Sequence, residues 1–355
     1  MWNKKDLEAK LKYLNELSRN TKDENIKYYI FKDREILIGM IELLKGRNLT
    51  IYNNPMLYKQ KLSLNKERKN YKDIEVITFD SIKEDLRFCF SLCKNIVLHS
   101  TNIINNGNRK IAKDEQECIN DVISFTEKLS DEELKKEIFS ILEKKDHILF
   151  NDYFEEMKLG QTYNLSTFRE SYIASCYSMP ELLLHEIIHA IDMKRNGHFM
   201  NCYPLSQEVP SYAMQICYSI KENNINALSG IVNISLAAIL CSHNLDIRNF
   251  SLAQIKKLEF DNISNKGIDV MNYLLVVKNY LIALIIANKI LDNEEEGLKE
   301  YKEILDTRFP KGAMPDYSRW GITNNDIIDC SKNLDKYFSR YQKERGGKSK
   351  WKKYY

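Results

Sequence analysis

Apolar residues recur three and four positions apart through most of this 355-residue chain, the spacing that lines one face of a helix. LKYLNELS and YYIFKDREILIGMIELLKG show it in the first fifty residues, with Gly46 and Asn48 as a stop signal. NNPMLYKQ then reads as a loop, and IEVITF (74–79) as a short strand or the approach to a helix. Ser81 is placed to cap IKEDLRFCFSLCKNIVLHS, which has Asp85 in its first turns. NNGNRK (105–110) is a turn. CINDVISFTEKL and DEELKKEIFSILEKK continue the helical pattern, the second with Ser130 as cap and acidic residues at its positive end. The texture changes at KLGQTYNLSTFRESYIAS (158–175), rich in Thr, Tyr, Phe and Ser with little helical period, which predicts one strand or a hairpin. SMPELLLHEIIHAIDMKRNG follows as a helix, with Ser178 as cap, Pro180 in the first turn and Gly197 as its stop. Beyond Glu208 the pattern is helical except near 223–226, 243–250 and 309–325.

The pattern predicts a mainly α protein with a small β element before residue 180. No repeat or low-complexity linker divides it. The organisation expected is an N-terminal helical region over 1–155, a second region over 156–345 carrying the chemistry below, and a basic tail over 346–355.

Composition narrows the function class. Twelve glycines and six prolines in a chain that is 43% hydrophobic describe an ordered protein. Fifty-three basic residues against fifty acidic leave a net charge of +3, which gives no reason to invoke nucleic acid. The eight cysteines form no C-x-x-C pair, so we expect buried free thiols in a reducing, cytoplasmic setting. The N-terminus lacks the apolar core of a signal peptide. YLLVVKNYLIALIIANKIL (273–291) is the most lipid-like stretch, but Lys278, Asn279, Asn288 and Lys289 interrupt it, and a buried core helix rather than membrane insertion is expected.

The candidate chemistry lies in LLLHEIIHAIDMKRNGHF. This chain has only six histidines, and two of them, His185 and His189, sit four apart. On a helix that spacing puts both imidazoles on one face, where they can meet one tetrahedral zinc ion. Glu186 is turned about 100° from His185, close enough to hold a water without ligating the metal. Leu183, Leu184, Ile187, Ile188 and Ile191 make the helix apolar almost all round, so its polar groups would be buried and need partners. The bland alternative is a core helix with hydrogen-bonded histidines. A zinc hydrolase needs a third protein ligand, for which Asp192, His198 and Glu208 are the candidates downstream. Asp192 is better placed to support a ligand from the same helix. Arg195 stands where a metzincin would have its third histidine, which excludes that class. Glu208 is favoured: nineteen residues past His189, after a turn, it opens a new helical pattern.

HEIIHA followed by QEVPSYAMQ resembles the gluzincin metallopeptidases, and within them the thimet oligopeptidase and oligoendopeptidase F family. KLGQTYNLSTFRESYI is similar to the family's glycine- and tyrosine-containing strand before the zinc helix, and the order of elements is similar over roughly 155–345. The resemblance implies a helical gluzincin fold with a deep channel and one zinc per chain on His185, His189 and Glu208. It implies Glu186 as general base and acid, and short peptides as substrates. It also implies a His and Tyr set that hydrogen-bonds the oxyanion; Tyr273 and Tyr280 are the nearest tyrosines in the comparable helix, and Tyr317 is a further candidate. The chain departs from the family in three ways. The stretch before the motif is short. Ile188 replaces a usual glycine, and Asp192 a frequent histidine. No histidine follows His243. The expected function is a zinc-dependent peptidase acting through a Glu-activated water. The rivals are a non-catalytic, zinc-stabilised peptide- or protein-binding module and a protease aimed at one protein target.

Overall fold

The computed structural model describes residues 2–46, 78–100, 111–197, 203–222, 226–246, 250–310 and 314–339. The NNPMLYKQ loop, most of the 74–79 stretch, the 105–110 turn and the basic tail lie outside them. The chain is mainly helical with one small three-stranded sheet. In chain order the elements are α1 (Lys4–Asn20), α2 (Glu24–Leu44), α3 (Lys83–Ser100), α4 (Glu115–Glu127) and α5 (Glu132–Leu142). There follow β1 (Ile148–Phe150), α6 (Asp152–Met157), β2 (Gly160–Leu165), β3 (Glu170–Ser175) and α7 (Pro180–Asn196). The last are α8 (Glu208–Lys221), α9 (Asn226–Ser242), α10 (Leu252–Lys257), α11 (Ile268–Asp292), α12 (Glu294–Leu305), α13 (Asn324–Lys332) and α14 (Leu334–Ser339).

Two compact units account for these elements. The first comprises residues 1–76, 112–127 and 132–199, the second 77–111, 128–131 and 200–355.

In the first unit the 158–175 stretch is a hairpin. β2 pairs antiparallel with β3 from Gly160↔Ser175 to Leu165↔Glu170, and β1 adds to the other side of β3 in parallel. The strand order β1-β3-β2 makes β2 an edge strand. The period of two sorts its side chains. Tyr163, Leu165, Tyr172 and Ala174 join a core with Leu7, Leu14, Leu37 and Met40 of α1 and α2. Thr162 faces the other way, onto α7. Each fully buried large aliphatic contributes roughly 1.5–3 kcal/mol, so this shared core is what holds α1 and α2 to the sheet. Asp33 of α2, itself fully buried, adds direction: its carboxylate accepts the backbone N–H groups of Ser166 (3.0 Å) and Thr167 (2.6 Å) in the hairpin turn. Burial pushes the Asp33 carboxyl up from its ordinary value, against the pull of those two donors.

In the second unit the long apolar helix α11 packs against α3, α8, α9, α12 and α13. It is long and apolar enough to cross a membrane, yet 83% of its most apolar window is buried within the protein. The four polar residues that interrupt its apolar run have partners there. Lys278 pairs with Asp85 of α3 at 2.7 Å, both about 3% exposed, and Asp85 also accepts the Tyr203 hydroxyl. Asn279 donates to the Leu205 carbonyl at 2.8 Å, Asn288 to that of Leu284, and Lys289 pairs with Glu300. Cys89, Cys93, Cys118, Cys176, Cys217 and Cys330 are buried free thiols, and Cys241 is exposed.

Two capping assignments are corrected. Ser81 does not cap α3; it lies within a short 3-10 turn, Asp80–Ile82, and exchanges hydrogen bonds with Thr78, three residues before it. Ser178 stands outside α7, whose cap position is Met179; the Ser178 hydroxyl accepts from Lys158 instead.

Candidate active site

α7 carries the H-E-x-x-H motif. Pro180 occupies its first turn, where a missing N–H costs nothing. Gly197 ends it with φ +70° and ψ −139°, a backbone state that essentially only glycine adopts. The helix lies across β2 and β3 and beneath α4 and α5. Arg195 near its C-terminus forks onto Glu137 of α5, with Nη2 2.7 Å from Oε2. That ion pair ties the C-terminal end of α7 to α5.

The helix is buried almost all round, as its apolar residues predict. His185, Glu186 and His189 are 6%, 6% and 8% exposed. The two imidazoles share a face, with ring centroids 4.7 Å apart and planes at 75°. Their Nε2 atoms converge to 3.0 Å. Two neutral imidazole nitrogens that close need a proton or a cation between their lone pairs. Two nitrogens on a tetrahedral zinc at about 2.0–2.1 Å would stand about 3.3 Å apart, so a few tenths of an ångström of side-chain movement fits the pair to that ion. The donor chemistry fits as well, since imidazole is a borderline ligand that suits zinc.

Glu186 points off this shared face, towards β2. Its Oε2 lies 2.7 Å from the Thr162 hydroxyl, and its own backbone carbonyl lies 2.9 Å from the same hydroxyl. Its carboxyl also lies against Gly160: a Cβ there would come within 2.8 Å of Glu186 Cγ and 2.9 Å of Oε1. The edge strand therefore shapes the bed of this carboxylate. Tyr163, the residue after Thr162, is buried on the other face; burial pushes its phenol up, and the Glu186 charge adds to that.

The other predicted site residues fall as follows. Asp192 is fully buried on α7 and accepts a hydrogen bond from Asn196 at 2.8 Å. His198 lies outside the described residues. Glu208 opens α8 in the second unit, half-buried and in the first helical turn. Tyr273 and Tyr280 are both on α11, and differ in exposure: Tyr273 is 37% exposed, while Tyr280 is buried with its ring 5.3 Å from that of Tyr212. Tyr317 is buried against Phe309 and Trp320, and its hydroxyl has no hydrogen-bond partner among the described residues. The contacts of Gly160 and Thr162 with Glu186 were not read from the sequence. The available signal was the strand period itself, which puts both residues on one face of β2.

No protein-family model matches the sequence, and no curated protein matches it. Among solved structures, the chain is similar to a protein of Bacillus anthracis strain Ames provisionally designated oligoendopeptidase F. The two are 12% identical with a TM-score of 0.42, over 91% of this chain and 63% of that one. It is also similar to a 3.1 Å X-ray structure with the same provisional designation, at 10% identity and a TM-score of 0.45, over 90% of this chain and 65% of that one. The chain thus spans just under two thirds of the length of either.

Proposed function

We propose that this protein is a zinc-dependent peptidase of the gluzincin kind, holding one zinc ion on His185, His189 and Glu208. The observation that carries the reading is the convergence of the two Nε2 atoms to 3.0 Å on a buried helix whose intervening glutamate is turned aside and separately held. A purely structural metal site has no use for that glutamate. Glu208 enters as third ligand because it is a carboxylate in the first turn of the helix that follows the motif.

When bound, zinc would polarise a scissile carbonyl and make a water nucleophilic near neutral pH. Glu186 takes a proton from the attacking water and delivers it to the leaving amine, so that one carboxylate serves as base and then acid. In this proposal Tyr273 and Tyr280 are the phenols that hydrogen-bond the developing oxyanion. β2, as an edge strand, offers backbone N–H and C=O groups to an extended peptide. Backbone pairing binds a chain without demanding one side-chain sequence, which suits short peptides of mixed composition as substrates.

Metal analysis of the purified protein is the test. We expect about one zinc per chain, as for a single three-ligand site. His189→Ala should abolish that stoichiometry and Glu208→Ala should weaken it strongly. Zinc retained at wild-type affinity in Glu208→Ala would remove Glu208 from the ligand set, and zinc retained in His189→Ala would overturn the site.

A further inference from the structure

We infer that Gly160 and Thr162 of β2 are positioning residues: together they fix the Glu186 carboxylate in one orientation beside the histidine pair. The inference deepens the reading above, and its catalytic half rests on Glu186 being the base.

Thr162 supplies the hold. Its Oγ1 lies 2.7 Å from Glu186 Oε2 and 2.9 Å from the Glu186 carbonyl oxygen. A hydroxyl has a single proton, and an ionised carboxylate is a stronger acceptor than a peptide carbonyl. The proton therefore goes to Oε2, which leaves Oε1 as the oxygen available to a water. Threonine suits this post in a second way. Its Cβ is branched, so χ1 has few options and the hydroxyl is aimed by the strand backbone, not by a mobile side chain.

Gly160 supplies the room. It lies two residues before Thr162, on the same face of the strand. The space a Cβ would take is filled by the Glu186 side chain, with Cγ at 2.8 Å, Oε1 at 2.9 Å and Cδ at 3.2 Å. Contacts below 3 Å cannot persist, so any larger residue at 160 has to move either the strand or the glutamate. The two residues act from two sides. Thr162 draws the carboxylate towards the strand, and Gly160 lets it come. A glutamate held at one end only by its own backbone would sample several rotamers, and a general base displaced by about 1 Å loses on the order of a hundredfold in rate.

Crystal structures of full-length wild type, Thr162→Val, Thr162→Ser and Gly160→Ala, each with and without zinc, test the geometry, and steady-state kinetics of the zinc-loaded proteins test the consequence. Valine keeps the shape of threonine and removes only the hydroxyl. We expect the Glu186 carboxylate to shift by about 1 Å or more in Thr162→Val and Gly160→Ala, and to stay in place in Thr162→Ser. kcat should fall about ten- to a hundredfold in the two displaced proteins, with KM within about twofold, and serine should restore most of it. An unmoved carboxylate in Thr162→Val, or wild-type kcat in that protein, would overturn the inference. Glu186→Gln in parallel separates the two readings. If it is inactive while Thr162→Val is unmoved and active, only the positioning role fails. If Glu186→Gln is itself fully active, the base assignment fails, whatever the position of its neighbours.

Discussion

Asp85, Tyr203 and Lys278 show what a single buried charge requires. Lys278 sits in the middle of the long apolar helix α11, about 3% exposed, with its ammonium 2.7 Å from Asp85. Asp85 is equally buried and also accepts the Tyr203 hydroxyl, and burial, with the Asp85 charge behind it, pushes that phenol up. Such a pair adds little net stability over apolar residues of the same shape, but half of it is costly, because the remaining charge is left in a low dielectric. Lys278→Met should therefore destabilise by about 3–5 kcal/mol in chemical denaturation, and Asp85→Leu combined with it should recover most of that loss. Additive losses in the double variant would show that the two side chains do not act as a pair. None of this could be read from the sequence. Lys278 and Asp85 are 193 residues apart, and the sequence shows only that an interrupted apolar helix needs polar partners.

At the scale of elements, α1 is held to the sheet by a charged cluster as well as by its leucines. Lys10 donates to Asp6 at 2.6 Å and pairs with Glu170 at 3.3 Å, and the Tyr172 hydroxyl lies 3.1 Å from both carboxylates. The Lys10 hydrogen bond holds the Asp6 carboxyl below its ordinary 3.8. A depressed carboxyl contributes stability above its unfolded value and loses that contribution as pH falls through its folded one. Docking of α1 should accordingly weaken as the pH drops below about 4, followed by hydrogen exchange in α1, and Asp6→Asn should flatten that acid limb. Identical acid profiles in the two proteins would remove Asp6 as the cause. The long periodic helices and the 158–175 hairpin were legible because each carries its own period. The strand β1 and the short helix α6 were not. Ile148–Phe150 is three residues long, too short for a period, and it becomes a strand only by pairing with Ile173–Ser175, twenty-five residues on. The contact between Thr162 and Glu186 is of the same kind: each residue is unremarkable locally, and the hydrogen bond exists because a hairpin folds onto a helix.

At the scale of the molecule, the candidate site was legible in its first layer and hidden in its second. His185, Glu186 and His189 declare themselves by spacing on one apolar helix, whereas the contact of Thr162 with Glu186 joins a strand and a helix that the sequence shows only separately. Glu186 is the residue that separates a peptidase from a binding module built on the same pair of histidines. Hydrolysis of a mixed library of short peptides should be compared between zinc-loaded wild type and zinc-loaded Glu186→Gln, at equal metal content. Glutamine keeps the size and most of the hydrogen bonding to Thr162 while removing the base. We expect hydrolysis by the wild type and a loss of at least about a hundredfold in the variant, the scale expected when a positioned acid–base group is removed. Equal turnover in the two proteins, or no turnover in either, would contradict it.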